Sequence, residues 1–172
     1  MAVGSLAAQG QALLDAAYAG LALATTTHDP PTHRFRSQGL PNLELCCDDG
    51  VLAVWLERIE HRPTDPRGCH GDNYFHWVIG LYRCWPTGDG VIPPTAAAYA
   101  DAAADLLEDA WALVTEFYDR LRVPANSVFS GCECEDIELG DLTPSEIEPS
   151  GGCAGFEFRV VVGAACLTDT GS

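Results

Sequence analysis

The hydrophobic positions along this chain change period several times, and each change marks an element. Between Met1 and Ala24, Leu6, Leu13, Leu14, Ala17 and Leu21 recur at helical spacing, which predicts an amphipathic N-terminal helix with one buried stripe. The stretch from Thr25 to Pro41 holds Pro30, Pro31 and Gly39 and reads as a loop, with a short extended piece around Phe35. Val51 to Ile59 is apolar on both alternating faces until Glu57 and Arg58, the pattern of a strand buried on both sides that then emerges. His61 to Asn73 carries Pro63, Pro66, Gly68 and Gly71 and reads as an exposed connection longer than a tight turn. Tyr74 to Trp85 is the strongest strand. It sets Phe75, Trp77, Ile79, Leu81 and Trp85 on one face and Tyr74, His76, Val78, Tyr82 and Cys84 on the other, as expected for a central strand.

The period returns to helical from Thr95, a candidate cap, to Arg122, where Pro124 stops it. At about 100° per residue, Tyr99, Leu106, Leu107, Ala110, Leu113, Val114, Phe117 and Leu121 share one side. Asp101, Asp105, Glu108, Asp109, Glu116 and Asp119 gather within about 100° of arc on the other, so the expectation is a long surface helix with an acidic back. Cys132 to Leu139 reads as a short acidic extended piece, followed by a Pro/Gly loop with Gly151 and Gly152. A last strand alternates Phe156, Phe158, Val160 and Val162 against Glu157, Arg159 and Val161. No internal repeat or interdomain linker is visible.

With 172 residues, 47% of them hydrophobic and 20% charged, the chain has the composition of a single globular domain over 1–172. Charge narrows the partners. Nine arginines and no lysine stand against 25 acids, a net charge of −16. Residues 1–100 hold six Arg and ten acids (−4), and residues 101–172 three Arg and fifteen acids (−12). Nucleic acids and anionic membranes are held by Lys and Arg, so neither is expected to bind this surface tightly. The first 24 residues lack a positive leading region and are interrupted by Gln9, Gln11 and Asp15, which favours a retained helix over an export signal. No run approaches the roughly 18 apolar residues of a membrane span.

Eight cysteines (Cys46, Cys47, Cys69, Cys84, Cys132, Cys134, Cys153, Cys166) would mark a disulfide framework in a small secreted chain. Without an export signal, and with enough length to build a core, the expectation is reduced and mostly buried thiols. Cys132-x-Cys134, Cys46-Cys47 and Cys69-His70 offer soft ligands, but the paired spacing typical of structural zinc does not occur. A nucleophile elbow is absent, and the Gly88-Asp89-Gly90 and Gly151-Gly152 clusters lack the Lys of a phosphate loop. The acids Asp101/Asp105 and Glu133/Glu135 could serve acid–base chemistry only in a pocket that shifts their pKa. No catalytic residue, cofactor or metal is therefore assigned, and a small metal-binding or thiol enzyme is kept as the alternative of another class.

The arrangement as a whole resembles the tail terminator proteins of long-tailed, siphovirus-type actinobacteriophages. The resemblance is carried by the apolar N-terminal helix, the run from Leu45 through Cys46, Cys47, Asp48, Asp49 and Gly50 to Val54, and the strand Val78 to Pro86. The Ala/Asp-rich helix after Pro94 and the closing Gly151 to Val160 complete it. It implies an α+β fold, with a mixed, mainly antiparallel sheet flanked by the N-terminal helix and the long acidic helix. It further implies a virion protein assembled in the host cytoplasm, without enzymatic activity, that forms a homo-oligomeric, hexameric ring at the head-proximal end of the tail tube. Such a ring ends tube polymerisation, meets the tail tube protein on one face and the head–tail stopper or connector on the other, and lets genomic DNA pass. A head–tail adaptor or stopper is the alternative within the same class. On this reading Arg62 and Arg67, in the His61–Asn73 connection, are candidate ring or partner contacts. Asp101, Asp105, Glu108, Glu116 and Asp119 form a candidate acidic lumen or surface face.

Overall fold

The computed structural model describes residues 6–23, 29–37, 39, 43–64, 71–88, 92–117, 120, 129, 137–145 and 152–166, the side chains of 116, 117 and 165 excepted. The elements are α1 (Leu6–Leu23), β1 (His33–Ser37), a 3₁₀ turn at Leu43–Leu45 running into α2 (Cys46–Asp49), β2 (Val51–Pro63) and β3 (Gly71–Cys84). They continue with α3 (Ala96–Ala112), a π-helical turn at Leu113–Phe117, β4 (Ile137–Pro144), β5 (Cys153–Gly163) and a closing 3₁₀ turn at Ala164–Cys166. The five strands form one sheet in the order β1-β2-β3-β5-β4, with β1 parallel to β2 and every other pairing antiparallel. This is the α+β fold with a mixed, mainly antiparallel sheet.

The main core lies on one face of the sheet. Register sets Leu52, Val54 and Leu56 of β2 beside Leu81, Ile79 and Trp77 of β3, and these beside Phe156, Phe158 and Val160 of β5. Leu13, Leu14, Ala17 and Leu21 of α1 close over that face together with Leu113. The predicted α1 stripe is thus the buried one. Its polar interruption has a use as well, since buried Gln9 accepts a 2.6 Å hydrogen bond from Trp77 Nε1. Gly10 lies where a Cβ would come within 2.9 Å of the Trp77 ring, so its missing side chain lets the helix seat on the indole.

On the second face the described residues form a packed layer at one end. There Val51, Ala53, Trp55, Val78 and Tyr82 pack with Cys46, Phe35, Leu43 and Leu45. Gly80 leaves room for two large rings in this layer, because a Cβ on it would approach Tyr82 to 2.7 Å and Trp55 to 2.9 Å.

Two expectations need correction. Both described ends of the His61–Asn73 connection are strand: β2 runs to Pro63 and β3 starts at Gly71, paired through Arg62↔Asp72 and His61↔Asn73. A proline at a strand's end loses no ladder bond, which is why Pro63 did not stop it. The long helix is present, and the correction to it is one of geometry: α3 runs to Ala112 and continues directly as a π-helical turn, while Thr95 caps its start by accepting a hydrogen bond from the Ala98 N–H (3.1 Å). Among the described residues, no helix is long and apolar enough to cross a membrane.

Candidate functional site

Charged side chains of β2 reach a common surface through one irregularity. The register shifts between Leu56 and Arg58, so Glu57 is an extra residue in the strand. Leu56 lies on the core face opposite Trp77, and without the shift Arg58, Glu60 and Arg62 would follow it inward. With it, they face outward beside His76 and Tyr74, and Ile59 comes across from Phe75 on the core side, where it stays 55% exposed.

The outcome is a lattice of ion pairs across the open half of the sheet. Arg62 holds Glu138 of β4 through Nη1–Oε1 (2.5 Å) and Nη2–Oε2 (3.2 Å), and Glu60 through Nε (3.1 Å). Its guanidinium carbon sits 4.1 Å from the centre of the Tyr74 ring. His76 Nε2 meets the other Glu60 oxygen at 2.6 Å. Farther along, Arg159 approaches Glu57 (3.4 Å) and Glu157 (3.7 Å), and the Tyr82 hydroxyl donates to Glu157 (3.0 Å). Burial, reinforced by the Glu157 charge, pushes the Tyr82 phenol above its ordinary value.

Arg62 holds both Glu60 and Glu138 below the usual carboxylate range, with His76 adding to the effect at Glu60. A carboxylate whose folded pKa is depressed contributes fully above its unfolded value of about 4.3 and loses that contribution as pH falls through the folded one. The stability difference between wild type and Arg62→Gln in urea denaturation is therefore expected to be largest near neutral pH and to shrink below about pH 4. A difference that stays constant with pH would mean that Arg62 acts only by packing on Tyr74.

The candidate contacts are placed as follows. Arg62, a candidate ring or partner contact, is held within the chain as a brace between β2 and β4. Arg67 lies outside the described residues. Asp101 and Glu108 are exposed on α3, and Asp105 is partly buried. Asp105 lines a cavity of about 230 Å³ with Ala102, Asp49, Arg83, Cys47 and Cys84. The Glu116 side chain and Asp119 lie outside what is described, as do Cys69, His70, Cys132 and Cys134.

Asp109 does not belong to the acidic back. It is buried and accepts from Arg83 Nε (2.9 Å), while Arg83 Nη1 donates to the carbonyls of Asp29 (3.0 Å) and Asp49 (3.2 Å). The helix is rotated from the expected orientation, so that Leu107 (63% exposed) and Trp111 (70%) face outward and Leu106, Ala110 and Ala112 inward.

The cysteines also depart from expectation. Cys46 is joined to Cys153 and Cys47 to Cys84, and Cys166 is disulfide-bonded too. The short α2 turn puts two adjacent cysteines over paired positions, since Cys84 and Cys153 are register partners at the ends of β3 and β5. Five sulfurs are thereby withdrawn from any metal-ligand role. Among the described residues, no three His, Cys, Asp or Glu side chains gather at metal-binding distance. Glu138, Asp109 and Glu157 are the structurally important acids that local reading missed, because their partners lie 76, 26 and 75 residues away.

Most charged groups of the described clusters pair with one another, although Arg83 Nη2 and Gln9 Nε2 are buried without a hydrogen-bond partner among the described residues. Neither a scan against protein-family models nor a search of curated proteins finds a match to this chain.

Proposed function

We propose that this protein is a structural subunit of a phage neck, forming a ring at the head-proximal end of the tail tube that ends tube polymerisation and joins the tail to the head connector. The observation that carries the reading is the braced β2–β3 hairpin. Its strands are 13 and 14 residues long, against five for β1 and eight for β4, so the hairpin outruns its neighbours. Among the described residues, no strand pairs with the outer edge of β2 beyond Trp55, where β1 ends, and Glu57, Arg58, Ile59 and His61 are exposed along it. The Arg62–Glu138 bridge stiffens this arm against the far side of the sheet. A stiff arm carrying charge outside the core suits seating on an adjoining ring, and its charges guard the open edge against indiscriminate strand pairing.

Two further features support the same reading. A net charge of −16 keeps threaded DNA from adhering to a bore. Disulfides persist on virions and other oxidised surfaces, which suits a protein whose working life is spent outside the cell. On this reading the protein breaks no bond and needs no cofactor.

The test uses the purified chain and the tail tube protein of the same phage. Tubes polymerised alone are expected to grow without a length limit, and added protein to cap one end with a ring visible by negative-stain electron microscopy. Binding to the head connector but not to the tube would favour the adaptor or stopper. Unchanged tubes together with a persistent monomer in native mass measurement would end the proposal.

A further inference from the structure

Helix α3 exposes an apolar face that none of the described residues covers. Leu107 and Trp111, one turn apart, are 63% and 70% exposed, and Ala100 and Ala104 extend the same face toward the helix start. At about 100° per residue these four fall within about 60° of arc, and Glu108, Asp101 and Asp105 follow in order along one flank. The face is therefore an indole and an isobutyl group on a smooth alanine track with an acidic border.

A hollow of complementary character lies on other elements of the same chain. A cavity of about 550 Å³ opens between the first turns of α1 and the sheet, lined by Leu6, Ala7, Gly10, Leu56, Trp77 and Arg36. Arg36 is shared with an adjoining cavity of about 480 Å³ that also contains Arg34. Both arginines are exposed on the edge strand β1, two of only nine cations in a chain of net charge −16. Arg36 donates to the Ala7 carbonyl (2.6 Å) and Arg34 lies 4.1 Å from the Tyr18 ring centre, so both are held in place at the rim.

We infer that the occupant of this hollow is Trp111 of a second copy of the chain, with Leu107 beside it and the acidic flank of α3 set against Arg34 and Arg36. The apolar character, the volume and the sign of the charge agree. Because knob and hollow are different surfaces, the contact is heterologous, and a repeated heterologous contact closes into a ring when its rotation permits. An exposed tryptophan entering a pocket rimmed by arginine is the residue pairing that dominates interface energetics. The inference rests on the ring reading and gives that ring its subunit contact.

The experiment compares wild type, Trp111→Glu, Arg34→Glu/Arg36→Glu and a charge exchange that adds Glu108→Arg to the double arginine variant. Each is analysed by native mass spectrometry and light scattering, alone and with the tube protein, and thermal melts check folding. Trp111 is exposed, so its variant should melt like wild type while subunit association weakens by about 30-fold or more. The arginine variant should dissociate likewise, and the charge exchange should recover at least part of the association, which a misfolded chain could not do. A wild-type ring left intact by Trp111→Glu overturns this interface and leaves the ring reading standing. Dissociation by Trp111→Glu alone, with the arginine variant unaffected, assigns the α3 face to self-pairing or to another protein and also overturns it. A wild type that stays monomeric with tube protein present removes the ring reading itself.

Discussion

Replacing Asp109 by Ala is expected to lower the free energy of unfolding by about 3–5 kcal/mol, the cost of leaving one member of a buried ion pair without its partner. Asp109 is 1% exposed and the Arg83 side chain 11%, so water cannot compensate for the lost carboxylate. The same guanidinium anchors the carbonyls of Asp29 and Asp49, and its loosening would free three segments from the end of β3 together. For a domain of this size the loss amounts to a fall in Tm of roughly 10 °C. The neighbouring Glu108→Ala is the control. It alters the same helix on its exposed side and should stay within about 0.5 kcal/mol of wild type. Calorimetry that finds Asp109→Ala as stable as that control would show the pair to be dispensable.

Reduction should produce the second large effect. The Cys46–Cys153 bond closes a sequence separation of 107 and Cys47–Cys84 one of 37. In the chain-entropy treatment each bond alone is worth about 4–5 kcal/mol, chiefly through restriction of the unfolded state. One loop lies inside the other, so the sum is smaller than two independent terms. Cys47 and Cys84 are exposed whereas Cys46 is buried, so a thiol reductant should open Cys47–Cys84 first. The expected result is a large drop in the urea midpoint on full reduction, with both linked peptides recovered by mapping without reductant. Alkylation of Cys46, Cys47, Cys84 and Cys153 in the unfolded, unreduced protein would show that the bonds do not form.

Much of the fold was legible because it depends on local periodicity. The α1 stripe, the alternation of Tyr74–Cys84 and Phe156–Val162, the β1 segment around Phe35 and the Thr95 cap are properties of short windows, and the structure has them all. The departures share a cause. Asp109 reads as surface by charge, and Arg83, the partner that draws it inward, is 26 residues away. Leu107 reads as part of the apolar side, and only the packing of α3 decides that it and Trp111 face outward. The extra residue Glu57 leaves no local signature, yet it turns Arg58, Glu60 and Arg62 from the core face to the open one.

The amino-acid sequence by itself determined the α+β element order, the hydrophobic faces that make the core, and the strong negative charge, because each follows from nearest-neighbour spacing or from composition. Only the tertiary structure decided which cysteines join, that Arg62 braces β4, and that α3 keeps an indole in solvent. Those outcomes depend on groups far apart in the chain meeting at particular register positions, and register is fixed by the whole sheet closing over its core.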